Sequence, residues 1–210
     1  MEKTIKVRGQ ANIRVKPDYM IIRMQCESLD KGYEKAMDKA AHTVQELKSA
    51  LESVRISSDQ LKTSDFRVAP AYESQGYGEP KRFLGYRVRQ DLKVGLDFDK
   101  KRLGDVLVAV AKSKAAPEFS IDFTIKDVNA VKDKLFVQCA TNARAIANGL
   151  CAGAGCKLGE ILSINYSWDE IDIHMGSCTC ATEADGCSAP DIDPDDINVS
   201  DSVTFVWSIC

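Results

Sequence analysis

From Thr4 to Lys16 apolar and polar positions alternate without a break. Ile5, Val7, Gly9, Ala11, Ile13 and Val15 share one side, and Lys6, Arg8, Gln10, Asn12, Arg14 and Lys16 share the other. A period of two predicts a long strand with one buried face and one wet, cationic face. Pro17 and Asp18 supply a turn. Met20, Ile22, Met24 and Cys26 then line a returning strand, so the pair reads as a hairpin. The period changes between Asp30 and Arg55, where Tyr33, Met37, Ala40, Val44, Leu47, Leu51 and Val54 recur in steps of four and three. That spacing forms one stripe only on a helix, with Asp30 placed to cap its first turn and Glu34, Lys35, Asp38, Lys39, Glu46 and Lys48 left in water. A coiled coil fits the same stripe, but flanking segments of period two favour a sheet as the helix's partner.

Phe66, Val68, Pro70 and Tyr72 alternate in a third strand, which Pro70 marks as an edge or a bulge. A loop rich in Gly and Tyr, Glu73 to Lys81, leads to a fourth strand carrying Leu84, Tyr86, Val88, Leu92, Val94, Leu96 and Phe98. Gln90 interrupts it and marks a bulge or a change of face. Asp99 caps a second helix with Leu103, Val106, Leu107, Val110 and Ala111 inward, and Pro117 follows its end. Phe119, Ile121, Phe123 and Ile125 make a fifth strand. A third helix begins near Asp127, carries Val131, Leu135, Cys139, Ala143, Ile146 and Leu150, and stops in Gly153, Gly155 and Gly159. Leu162, Ile164, Tyr166 and Trp168 form one closing strand, and Val199, Val203, Phe205 and Trp207 the other. Between them runs a long acidic, cysteine-bearing loop, residues 169–196, a length that marks function or disorder.

This order predicts an α+β fold, antiparallel sheets with three helices packed on one face. It fits one domain over residues 1–210. Strand-helix-strand-strand occurs twice, giving sub-lobes 19–98 and 119–207 and the pattern of a duplicated unit.

Composition narrows the function classes. A chain of 210 residues that is 44% hydrophobic and 28% charged can bury a real core and is not disordered as a whole. A net charge of -3 gives no electrostatic case for nucleic acid. No apolar run approaches a membrane span, and no secretory h-region follows Met1, so the chain as written reads as cytoplasmic, or as exported if a leader has been removed. The eight cysteines are then expected as reduced thiols. Cys26 and Cys139 sit at apolar-face positions, while Cys151, Cys156, Cys178, Cys180, Cys187 and Cys210 lie in the C-terminal third.

Several strings, taken together, resemble the SIMPL domain family. They are VRGQANIRVKPDYMIIRM, LKTSDFRVAPAYE, GYRVRQDLKVGL, ATNARAIANGLCAGAGCKLGEILSI and PDDINVSDSVTFVW. The family's Val-Lys-Pro-Asp turn is matched by Val15 to Asp18, its Thr-Ser-Asn/Asp-Phe strand opening by Thr63 to Phe66, and its Gly-Tyr opening by Gly85 and Tyr86. The resemblance implies a non-enzymatic protein that self-associates. Members include exported bacterial proteins that assemble into large rings or are linked to oxidative-stress defence, and a eukaryotic adaptor that binds a kinase. It supplies no catalytic residue and no cofactor. The chain departs from the family in having no leader and many cysteines.

Local chemistry is sparse. His174, Cys178, Cys180 and Cys187 could close a tetrahedral zinc site, form a disulfide or redox loop, or simply ride on an insertion; their spacing lacks the paired C-x2-C of zinc knuckles. Asp191, Asp193, Asp195 and Asp196 resemble the start of a calcium loop, but Pro194 breaks the turn and Ser202 stands where the closing Glu belongs. The glycines from Gly153 to Gly159 follow a helix, whereas a phosphate cradle must precede one. His42, on the long helix, reads as solvent-facing. The expectation is an oligomeric scaffold or protein-binding module with a second copy, or another protein, as partner. The second reading is a metal- or redox-sensing protein acting through residues 169–196.

Overall fold

The computed structural model describes residues 3–74, 81–167, 177–180 (backbone) and 192–210. Its strands form two antiparallel sheets, and the chain divides into two compact units. Unit 1 comprises residues 1–17, 125–175 and 195–210; unit 2, residues 18–124 and 176–194, is inserted into it in sequence.

In unit 2, β2 (Tyr19–Asp30), β3 (Lys62–Glu73), β4 (Arg82–Asp97), β5 (Glu118–Thr124) and β7 (Ser177–Cys180) are ordered β3-β4-β2-β5-β7. Helices α1 (Tyr33–Ser53) and α2 (Lys100–Lys112) supply the cover for one sheet face. Met20, Ile22 and Met24 from β2, Leu92, Val94 and Leu96 from β4, and Phe119, Ile121 and Phe123 from β5 pack with Leu47, Leu51, Leu103, Val106 and Val110 into the main core. Each such side chain contributes roughly 1.5–3 kcal/mol by leaving water. Asp99 caps α2 as the sequence predicts, its Oδ1 accepting from Arg102 N at 2.7 Å.

Unit 1 contains β1 (Thr4–Val15), α3 (Val128–Gly153), β6 (Leu158–Asn165) and β8 (Ile197–Ile209), with sheet order β1-β8-β6 and α3 packed on the sheet. The helix approaches β1 closely because Gly9 offers no side chain: a Cβ there would stand 2.0 Å from the Cys139 carbonyl oxygen and 2.8 Å from Ala143 Cβ. Asp127 caps α3, accepting from Ala130 N at 2.9 Å.

Several local expectations are corrected. β1 and β2 do not form a hairpin: β1 pairs along its whole length with β8, and β2 pairs with β4 and β5. Strand β2 continues to Asp30, so α1 starts after Gly32. Asp30 accepts instead from Gly32 N (3.1 Å) and pairs with Lys39 (2.6 Å). Gln90 leaves β4 in step with β2; the register shifts lie between β3 and β4, at Thr63/Asp65 and Ala71/Tyr72. Ala111 is exposed. On α3 the buried row is Val131, Leu135, Cys139, Ala143, Ala147 and Cys151, strictly four apart, while Ile146 and Leu150 are exposed. The three helices are divided two and one between two sheets. β5, grouped by sequence with residues 119–207, belongs to the sheet of unit 2. Within the predicted loop 169–196, residues Ser177–Cys180 form β7 against β5.

A repeated topology does emerge, with a different first strand in its second copy. β2-α1-β3-β4 places its second strand at an edge and its last beside its first, in the order β3-β4-β2. β1-α3-β6-β8 does the same, in the order β6-β8-β1.

Candidate functional site

The equivalent second strands, β3 and β6, are sheet edges among the described residues, and both expose large apolar side chains. On β3, only Val68 is half-buried and only Ala71 buried; Phe66 and Tyr72 are 46% and 55% exposed. Tyr72 continues into a file of four rings. Tyr72 meets Phe83 at 5.6 Å, Phe83 meets Tyr86 at 5.6 Å, and Tyr86 meets Tyr33 of the first turn of α1 at 5.4 Å, all edge to face. Gly85 makes this file feasible. Its φ is +142°, and a Cβ there would lie 2.3 Å from the Asp30 carbonyl oxygen, so only glycine lets β4 pass the end of β2 and seat Tyr86 against Tyr33. The sequence stripe assigned Tyr33 to the helix's inward face, yet it is 51% exposed.

On β6, every residue from Glu160 to Asn165 is exposed, including Ile161 (53%), Leu162 (45%) and Ile164 (58%). Ile161 pairs with Trp207 and Ile164 with Phe205, both buried residues of β8, yet neither isoleucine is covered. Among the described residues no strand pairs with the outer edge of β6. The other edge of this sheet is guarded: Gln10 N on β1 donates to Asn142 Oδ1 of α3 at 3.2 Å.

The polar surfaces carry internal hydrogen bonds and, in unit 2, ion pairs. On the wet face of β1, both Nε and Nη2 of Arg8 donate to Ser202 Oγ, at 2.9 and 2.7 Å. A depression of about 480 Å³ is lined there by Arg8, Gln10, Asn12, Ser200, Asp201 and Ser202. Unit 2's sheet carries cross-strand pairs Arg23–Asp122, Arg87–Glu27 (2.9 Å) and Gln25–Asp91 (3.0 Å). Cations that meet their anions within one sheet leave little field to attract a polyanion.

The candidate chemical residues are dispersed. His42 is exposed on α1, with Nδ1 3.7 Å from Glu46 Oε1. His174, Cys187 and Asp191 lie outside the described residues; Cys178 stands opposite Ile121 and Cys180 opposite Phe119 in the β5–β7 register. Asp193 pairs with Lys100 at 3.0 Å, while Asp195 and Asp196 are exposed. Among the described residues no group of three or more His, Cys, Asp or Glu side chains is arranged to hold a metal ion. No described helix is long and apolar enough to cross a membrane. Sequence reasoning missed Cys151 and Cys156, which meet at the end of α3; two cysteines five apart around a helix-ending glycine were the available signal.

A family match covers nearly the whole chain: residues 5–207 fit SIMPL, "Protein of unknown function (DUF541)". The chain belongs to the SIMPL family. It is similar to uncharacterized protein YggE of Escherichia coli strain K12, at 27% identity over 164 residues, 77% of this chain and 65% of the relative. YggE of Shigella flexneri matches to the same extent. The chain therefore spans a little under two thirds of the length of these relatives. The SIMPL strings now have structural meaning: Val15 to Asp18 carry the chain from β1 to β2, Thr63 to Phe66 open β3 at its bulge, and Gly85–Tyr86 is the close pass that builds the ring file.

Proposed function

We propose that this SIMPL protein is a non-catalytic module that associates with further copies of itself through its open edge strands. The observation that carries this is β6, an edge strand whose exposed residues include Ile161, Leu162 and Ile164. Open edges with apolar side chains are liabilities in a monomer, because unpaired N–H and C=O groups template another strand. Another copy is the favoured occupant because the chain carries the same kind of surface twice, on β6 and on the equivalent β3 with Phe66 and Tyr72. Pairing β6 of one copy with β3 of the next is heterologous and builds rings or filaments; like-with-like pairing builds closed dimers. His42, exposed on α1 beside Glu46, and Cys26 and Cys139, buried in separate clusters, support a binding role over a reaction centre.

The test is the solution mass of the full chain by light scattering at tens of micromolar. Wild type is expected at a multiple of the chain mass. The double substitution Ile161→Lys/Ile164→Lys is expected to return it to a single chain, since charge on an edge opposes strand pairing. A wild-type protein that stays monomeric, or a double variant that assembles unchanged, overturns the reading.

A further inference from the structure

Helix α3 ends in Cys-Ala-Gly-Ala-Gly-Cys, residues 151–156. Gly155 takes φ +70°, Gly155 N donates to Ala152 O at 3.2 Å, and Cys156 N donates to Cys151 O at 2.9 Å. This double closure brings the first and last residues of the turn together, and side chains there ordinarily make an apolar contact. Helix α1 ends in the same closure. Arg55 takes φ +63°, Arg55 N donates to Glu52 O and Ile56 N to Leu51 O, both at 3.0 Å, and the facing pair is Leu51 and Ile56, each 1% exposed. In α3 the same two positions are held by cysteines. The backbone closure sets the two thiols beside each other, and both are free. Cys151 is 3% exposed and Cys156 half-buried, so the pair has one sheltered and one reachable sulfur.

We propose that Cys151 and Cys156 are a dithiol modification site that a small organic disulfide converts to an intramolecular disulfide. The Cys156 thiolate attacks one sulfur of the small disulfide, forming a mixed disulfide and releasing the first thiol after it takes up a proton. Cys151, on losing its own proton, attacks Cys156 Sγ; the protein S–S bond forms and the second small thiol leaves. The two protein thiols give up two electrons and two protons, and the small disulfide becomes two thiols. The sheltered sulfur makes the second step intramolecular, so the mixed disulfide does not accumulate. Cys26 and Cys139 are buried in different clusters, and neither has such a neighbour among the described residues.

Oxidised glutathione is the probe. The folded full chain is incubated with it, remaining thiols are alkylated, and the tryptic peptide spanning residues 145–157, which contains Cys151 and Cys156 and no other cysteine, is weighed. The expected product is that peptide lighter by two hydrogen atoms, with neither alkyl nor glutathione attached. Cys151→Ser is expected to trap glutathione on Cys156, and Cys156→Ser to leave the peptide unoxidised. Cys210→Ser, which removes the exposed C-terminal thiol, is expected to leave the wild-type result unchanged. A wild-type peptide that remains fully alkylated while Cys210 takes up glutathione, one that keeps a stable glutathione adduct, or one cross-linked to Cys210 overturns the proposal.

Discussion

Gly9 is the residue on which unit 1 most depends, because α3 crosses β1 where a methyl group would collide with main-chain atoms of Cys139. Backbone cannot step aside as a side-chain tip can, so Gly9→Ala should destabilise the protein by about 3 kcal/mol, read as a lowered urea midpoint. The sign reverses at Arg55. It holds a left-handed conformation at the end of α1 that costs a side-chain-bearing residue roughly 1 kcal/mol, so Arg55→Gly should raise stability by about that amount. Cys26 contributes to the alkaline limb, as do the buried thiols of Cys139 and Cys151. Burial first, and the Asp91 carboxylate second, push the Cys26 thiol up to about 11. A pKa raised in the folded state gives stability that is whole below the unfolded thiol's pKa and lost as pH rises through 11. Urea midpoints should therefore decline between pH 9 and 11, and Cys26→Ala, although weaker throughout, should decline less. Asp30 acts at the other end: its hydrogen bond from Lys39, then that from Gly32 N, holds its carboxyl below the usual range. Its contribution is present above the ordinary carboxylate pKa and fades as pH falls through the lowered one.

At the scale of elements, the long strands β1, β2, β4 and β8 and their faces are legible because period two survives any choice of partner. Pro70 marks an edge or a bulge, and β3 is an edge with a register shift at Ala71/Tyr72. Partner choice was not legible. The Pro17–Asp18 turn is compatible with a hairpin, yet β1 finds in β8 a complementary strand of matching length nearly two hundred residues away. Nor could periodicity decide which flank of α3 is covered: Ile146 and Leu150 continue a helical spacing as well as Ala147 and Cys151 do. The close pass at Gly9 selects the small row and leaves the large side chains outside. This separates two apolar surfaces of unit 1 by experiment. Ile146→Lys/Leu150→Lys should leave the solution mass as in wild type, whereas the charged pair on β6 should lower it, because only β6 offers an open backbone edge beside its apolar side chains.

At the scale of the whole molecule, the two units have separate hydrophobic clusters and an unequal dependence. Unit 2 departs from unit 1 at Asp18 and returns at Thr124, and Asp18 N donates to Thr124 O at 3.2 Å. Folded, unit 2 holds its own ends together. Unfolded, it becomes a loop of more than a hundred residues that β1 and α3 must close, at about 4 kcal/mol. Leu47→Ala in the core of unit 2 should therefore cost about 2–5 kcal/mol locally and also weaken unit 1. Leu135→Ala in unit 1 should leave the exchange protection of β2 and β4 nearly intact. Hydrogen exchange resolved by peptide reads both results, and equal losses of protection in both units for both variants would refute the nesting argument.

The sequence by itself determined the three helices, the long strands, the α+β class and the family, because hydrophobic period, capping side chains and turn residues act over a few positions of chain. It also held the four-element repeat of unit topology, but placed β5 at the start of the second copy. Only the tertiary structure decided that β1 serves in place of β5, that β3 and β6 are, among the described residues, edge strands with exposed apolar side chains, and that Cys151 meets Cys156. Each of these depends on which distant segments share hydrogen bonds or a close approach, and that is fixed by the joint packing of the whole chain.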